Sequence, residues 1–144
     1  MGYLIDTNIL SELQKGNRCH TGVQRWYAAT DSNDLFLTVL VIGEVRQGIE
    51  RLRRRDAIQS ARLEQKLLAV EALMAGRILP ITLAIADRWG RLNAPDPLPV
   101  VDGLLAATAL ELDLTLVTRN VRDVERSGVR LLNPFSDRSA MSGE

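Results

Sequence analysis

The sequence predicts an α/β fold, a three-layer α/β/α sandwich around a mainly parallel, five-stranded sheet. Short apolar, β-rich segments alternate with longer segments in which apolar residues recur at helical spacing. This alternation is typical of a parallel sheet covered by helices on both faces. The 144 residues are 46% hydrophobic and 25% charged, which suits one globular domain. We expect that domain to span residues 1–136, followed by a polar tail at 137–144.

The first half of the chain supplies two strands and four helices. Residues 3–5 are apolar and suit a buried strand, and Asp6-Thr7-Asn8 are residue types that end strands and cap helices. Residues 35–40 are β-rich and predict the second strand. From Val41 onward, apolar residues are spaced as on one face of a helix. The four predicted helices are 9–14, 23–30, one beginning at Val41 and continuing through Leu52, and 57–75, which ends before Gly76.

The second half supplies three further strands. Residues 77–81 predict a short strand, after which Thr82 is placed to cap a helix that runs to about residue 92. Three alternating prolines within residues 94–99 exclude a regular helix there. The remaining predicted elements are a Leu- and Ala-rich helix 102–112, a strand 114–117, a short helix 121–127 and a strand 129–132.

Composition excludes several classes of site. Acidic and basic residues balance at 18 each, so net charge gives no general attraction to nucleic acid. The single cysteine rules out an internal disulfide, and the single histidine rules out a site with two or three His ligands. No apolar stretch has membrane-spanning length, and the N-terminus lacks the features of a signal peptide. We expect a cytoplasmic protein.

Four acidic residues point to a metal site. Asp6 follows the first predicted strand, Asp123 lies one turn beyond the fourth, and Glu44 and Asp102 lie on apolar helices. Ligands of such sheets bind beyond the carboxyl ends of the strands. Taken singly, Asp6 and Asp123 suit helix caps, Asp102 suits a first helical turn, and Glu44 suits a solvated edge. Together, without matching lysines, they indicate a site for Mg²⁺ or Mn²⁺, ions that prefer carboxylate oxygens.

Five segments carry a resemblance to a known family. They are Leu4-Ile5-Asp6-Thr7-Asn8, Gly43-Glu44-Val45-Arg46-Gln47-Gly48, Val101-Asp102-Gly103-Leu104-Leu105-Ala106-Ala107-Thr108-Ala109, Leu116-Val117-Thr118-Arg119-Asn120-Val121-Arg122-Asp123 and Gly128-Val129-Arg130-Leu131-Leu132-Asn133-Pro134-Phe135. In this order, and over nearly the whole chain, they resemble the PIN-domain ribonucleases, and within these the VapC-like toxins of type II toxin–antitoxin systems.

The resemblance implies a PIN-like fold, endoribonuclease activity with Mg²⁺ (or Mn²⁺ in its place), a VapB-like antitoxin as partner, and a homodimer. Asp6, Glu44 and Asp102 match the family's first three acidic residues. The fourth acid stands in some members at the position of Asn120 and in others at that of Asp123. Because only Asp123 is charged here, we assign it as the fourth catalytic and metal-binding carboxylate. The resemblance also gives supporting roles to Asn8, Thr118 and Asn120.

Basic residues supply candidate RNA contacts. Arg46 and Arg119 lie nearest the proposed site in the sequence and are predicted to contact phosphate. The basic run at 51–55 suits RNA or an acidic antitoxin segment, but cations at a helix C-terminus are also favoured by the helix dipole. The proline-rich loop at 95–99 leads into Asp102, so we expect it to line the substrate groove.

Two other functions remain open at this stage. A phosphohydrolase that forms a phospho-aspartate at Asp6 would need a second acid two residues later, where this chain has Asn8. A catalytically silent PIN-like module that binds RNA or protein is the second alternative, against which the retained acids argue.

Overall fold

A computed structural model describes residues 2–136, and its centre is a parallel sheet of five strands. The strands lie in the order β3-β2-β1-β4-β5, and every pair of neighbours is parallel. The prediction of a five-stranded, mainly parallel α/β sheet is therefore confirmed. The strands are β1 (Tyr3–Ile5), β2 (Leu35–Thr38), β3 (Ile78–Leu79), β4 (Thr115–Val117) and β5 (Leu131–Leu132).

Seven helices cover the sheet. They are α1 (Thr7–Leu13), α2 (Thr21–Ala28), α3 (Val39–Arg53), α4 (Ala57–Leu73), α5 (Leu83–Leu92), α6 (Val100–Leu112) and α7 (Val121–Val124). Strands β2 and β3 are added on one side of β1, and β4 and β5 are added on the other side. Since crossovers between parallel strands are right-handed, the helices before β3 cover one face of the sheet and the helices after β3 cover the other. The contacts agree, since α1 packs on α2 and α3, and α6 packs on α5 and α7.

The central strands are buried on both sides, as expected for a parallel sheet between two helical layers. Leu4, Leu37, Leu116 and Val117 are almost inaccessible to solvent. At the carboxyl edge of the sheet the buried residues change from apolar to polar: Thr38 is the last residue of β2, and Asp6 and Thr118 directly follow β1 and β4. The fold thus gathers polar side chains at one edge of an apolar core.

Several element boundaries differ from those predicted, for local reasons. Helix α1 begins at Thr7 rather than Ile9 because the Asp6 carboxylate caps it, accepting from the Thr7 amide at 2.7 Å. Strand β2 ends at Thr38, whose hydroxyl caps α3. Helix α6 begins at Val100, directly after Pro99. Strand β3 ends before Pro80, which has no amide hydrogen for the ladder.

The predicted tail at 137–144 lies outside the described residues. No helix within residues 2–136 combines the length and the apolar character needed to cross a membrane.

Candidate metal centre

Asp6 is the most buried of the four predicted acids, with 4% of its surface exposed. Its backbone amide donates to the Val117 carbonyl at 2.9 Å, which holds the residue at the end of β4 as well as β1. One carboxylate oxygen accepts from Thr7 N, and the other accepts from the Thr118 hydroxyl at 2.7 Å and the Asn8 amide at 3.3 Å. Burial raises the pKa of Asp6, and these hydrogen bonds oppose the rise.

Glu44 is brought to the same edge by α3. Its Oε1 accepts a hydrogen bond from the Thr7 hydroxyl at 2.5 Å, so the first turn of α1 positions this carboxylate. Glu44 is half-buried, and its charge contributes to the raised pKa of Asp6. Thr7 therefore touches two acids, through its amide and its hydroxyl.

Asp102 lies in the first turn of α6 and is half-buried. Burial raises its pKa to about 6, assisted by the charges of Asp6, Asp123 and Glu44, in that order. Each of the other three acids thus acts electrostatically on Asp102. The structure brings all four predicted carboxylates into one neighbourhood, although they lie far apart in the sequence.

The fourth position has two candidates at the end of β4. Asn120 lines a cavity of about 360 Å³ together with Asp6, Glu44 and Asp102. Asp123 is exposed and lines the adjoining cavity, which also contains Asn120. The backbone N–H of Asn120 donates to the Thr118 hydroxyl at 2.9 Å, and the Thr118 hydroxyl in turn donates to Asp6. Asn120 is therefore tied to the Asp6 network, whereas Asp123 contributes charge from the rim.

The donor set fits a hard cation surrounded partly by water. Within residues 2–136, no three His, Cys, Asp or Glu side chains are grouped closely enough to hold an ion by themselves. Mg²⁺ commonly takes one or two carboxylates and keeps several waters, so a loose acidic cluster suits it. Burial is the main cause of the raised pKa of Asp102, and the repulsion from neighbouring acids that adds to it would be relieved by a bound cation. We call the cavity lined by Asp6, Glu44 and Asp102 the acidic pocket.

Arg46 and Arg119, which are predicted to contact phosphate, have different neighbours in the structure. Arg46 Nη1 pairs with Glu64 at 2.8 Å and Glu50 at 3.2 Å, an arrangement that joins α3 to α4. The Arg119 guanidinium lies 4.5 Å from the centre of the Phe135 ring, and its backbone amide donates to Asn8 at 3.2 Å. Both roles in RNA binding stay predictions.

Two residues lie nearer the acids than the sequence indicates. The sequence predicts Thr7 in a turn that caps a helix, and in the structure Thr7 bonds both Asp6 and Glu44. Arg51 belongs to the basic run, but it lines the acidic pocket and is the one cation among the described residues that do so. Its position one turn beyond Gln47 and Gly48 on α3 is the sequence signal that would have identified it.

Comparison with known proteins identifies the family of the chain. The model of the PIN domain family matches residues 3–126, which include all four acids. The chain belongs to the PIN domain family. A curated relative, VapC ribonuclease Y4jK from Sinorhizobium fredii, is 30% identical over 140 residues, covering 92% of this chain and 96% of the relative.

Two solved structures share the fold of this chain. The crystal structure of FitAcB from Neisseria gonorrhoeae superposes with a TM-score of 0.84 at 27% identity, covering 92% of this chain and 98% of that one. A toxin–antitoxin complex from Klebsiella pneumoniae gives 0.66 at 26% identity, with coverages of 92% and 98%. The predicted PIN-like fold is confirmed.

Proposed function

We propose that this PIN domain is a metal-dependent endoribonuclease and the toxin of a type II toxin–antitoxin system. The observation that carries the proposal is the convergence of Asp6, Glu44, Asp102 and Asp123 at the carboxyl edge of the sheet. Similarity to a protein named as a VapC ribonuclease supports the reaction. Since the proposed substrate is cellular RNA, the proposed place of action is the cytoplasm.

The four acids would hold Mg²⁺, with Mn²⁺ able to substitute. The chemistry that a bound ion supplies is activation of a water molecule and stabilisation of the charge that develops on the phosphate. Three hydrogen bonds hold the Asp6 carboxylate in one orientation, and Thr7 fixes Glu44 relative to it. Asp102, without a cationic partner within residues 2–136, keeps its oxygens free for a ligand.

Arg51 is proposed to contact the scissile phosphate. A guanidinium forms bidentate bonds with phosphate oxygens, and Arg51 lines the acidic pocket. It would bring the substrate anion to a pocket whose carboxylates otherwise repel it.

Partner and assembly are proposed from the comparisons. The Klebsiella pneumoniae structure is a toxin–antitoxin complex, and a VapB-like antitoxin is therefore the proposed partner. A homodimer is also proposed, and the exposed apolar residues Leu83 and Val100, at the starts of α5 and α6, supply surface that a second copy would cover.

The test is cleavage of total bacterial RNA by purified protein. We expect discrete fragments with Mg²⁺ or Mn²⁺, none with EDTA, and none from Asp102→Asn. The matched control is Asp87→Asn, which removes an exposed carboxylate that pairs with Arg91 on α5, and it should cleave normally.

Other results would contradict the proposal. If cleavage persists in EDTA or in Asp102→Asn, the acids and a bound metal are not required for the reaction. Metal binding without cleavage of any RNA would favour the silent module, and a phospho-aspartate trapped at Asp6 would favour the phosphohydrolase.

A further inference from the structure

A second cavity opens from the acidic pocket between α1, α3 and α4. Its volume is about 380 Å³, and it shares Thr7, Glu44 and Gly48 with the acidic pocket. Away from those shared residues, its charged side chains are all cationic: Lys15, Arg18 and Lys66. We call this cavity the basic groove. Because it shares three lining residues with the acidic pocket, it adjoins the proposed metal centre, and its cations give it the opposite charge.

The three cations come from different parts of the chain. Lys15 and Lys66 are the only lysines in the sequence, and the fold brings both to this groove from the end of α1 and from α4. Lys15 Nζ lies 2.9 Å from Glu12, and Lys66 Nζ donates to the Gln14 carbonyl at 3.0 Å. An ammonium has three donors, so each lysine keeps donors for a further ligand.

The rest of the lining is uncharged, partly polar and partly apolar, and its apolar residues are Val45, Ile49 and Leu63. Ser11, Gln14 and Gln59 offer hydrogen-bond donors between the cations, and no aromatic side chain lines the groove. Base stacking, which requires aromatic side chains, is therefore not the interaction that this surface offers. Its chemistry suits the phosphates and sugars of a nucleic-acid backbone.

We propose that the basic groove binds the backbone of the RNA strand on one side of the bond that is cut. The inference rests on the proposed nuclease function and extends it, because it gives the direction in which the strand leaves the acidic pocket. The strand passes over Gly48, the residue without a side chain that both cavities share, and its phosphates then meet Lys15, Arg18 and Lys66.

Binding of RNA as a function of salt tests this path. The probe is a fluorescent 20-nucleotide single strand of uridines, titrated in EDTA so that the proposed cleavage does not proceed. The variant is Lys15→Gln/Arg18→Gln/Lys66→Gln. The matched control is Arg25→Gln/Arg88→Gln/Arg91→Gln, which removes the same charge from exposed residues that line neither cavity and lie outside the basic run. Thermal unfolding verifies that both variants are folded.

The logarithm of the binding constant falls linearly with the logarithm of the salt concentration, and the slope of this line increases with the number of phosphates contacted. We expect the slope to become shallower by about 0.7 for each lost contact, or by about 2 in the groove variant. The control variant should keep the slope of the unmodified protein.

The proposal would be overturned if the groove variant kept the slope of the unmodified protein, or if the slope of the control variant became shallower by the same amount. It would also be overturned by an unmodified protein that does not bind the probe, or by a groove variant whose only defect is weaker binding of an acidic peptide. Cleavage of total RNA with Mg²⁺ is measured in parallel, and its absence from the unmodified protein would contradict the nuclease function separately from the groove.

Discussion

Asp102, a proposed metal ligand, is held in the fold at a cost in free energy of unfolding. No hydrogen bond from a described residue contributes to the pKa of its carboxylate, and burial together with three neighbouring acids raises that pKa to about 6. Its ordinary value is 3.8. Between these two values the folded protein binds a proton that the unfolded chain releases. The free energy of unfolding therefore decreases as pH rises from about 3.8 to about 6, and the loss of stability caused by ionised Asp102 is complete above about pH 6.

Replacing Asp102 should consequently stabilise the metal-free protein. In EDTA at pH 7.5 we expect Asp102→Asn to unfold at a higher temperature than the unmodified protein, because the repulsive charge is gone. The gain should shrink toward pH 4, where Asp102 is already protonated. Asp87→Asn, which alters an exposed ion pair, is the control and should show no such pH-dependent gain. A lower melting temperature for Asp102→Asn at pH 7.5 would refute this view of the site.

The sequence selects candidate residues more readily than it predicts their contacts. Asp6, Glu44 and Asp102 could be proposed as metal ligands from their places after a strand and on helices, and these roles stay predictions. The ion pairs of Arg46 could not, because Glu64 lies on a different helix and no local pattern links the two. The role of Thr7 was missed because its hydroxyl reaches a residue 37 positions away.

Among the elements, α6 is positioned by a close contact beside Asp102. Trp89 on α5 and Leu98 pack against Gly103, where an added Cβ would lie 3.2 Å from Trp89 Nε1 and 3.3 Å from Leu98 Cβ. The indole nitrogen is buried and has no acceptor among the described residues. A glycine thus lets the first turn of α6 approach α5, and this approach sets the location of Asp102.

Gly103→Ala should therefore weaken metal binding at the acidic pocket while the chain still folds. The new methyl group forces the turn or the indole to move, which displaces Asp102, and we expect cleavage to require a higher Mn²⁺ concentration. Adding Trp89→Phe removes the edge of the indole that the methyl meets and should restore part of the Mn²⁺ dependence. Gly90→Ala is the control, since a Cβ there meets no atom within 4 Å. Unchanged Mn²⁺ dependence in Gly103→Ala would contradict the positioning role.

The elements themselves could largely be predicted, and their ends could not. All five strands and all seven helices occur where the apolar patterns indicate them. The errors lie at boundaries decided by single side chains, such as the Asp6 cap of α1 and the Thr38 cap of α3. Periodicity reports which face of a segment is buried, whereas a cap depends on one hydrogen bond.

For the whole molecule, the strand order explains how the site forms. β1 and β4 are neighbours, so Asp6 and Thr118 meet although 112 positions separate them. The alternation of strands and helices predicts that their carboxyl ends share one edge. It does not predict the order of strands or the groove between α1 and α4, because these depend on packing between distant segments. The acidic pocket and the basic groove are thus properties of the assembled fold.

Anomalous scattering of Mn²⁺ shows whether the four acids form one metal centre. In crystals grown with Mn²⁺, we expect an anomalous difference peak bounded by Asp6, Glu44 and Asp102, and its distances to Asp123 and Asn120 identify the fourth position. Asp102→Asn crystals should show a weaker peak or none. A peak elsewhere on the protein, or no peak from protein that cleaves RNA in EDTA, would contradict the account.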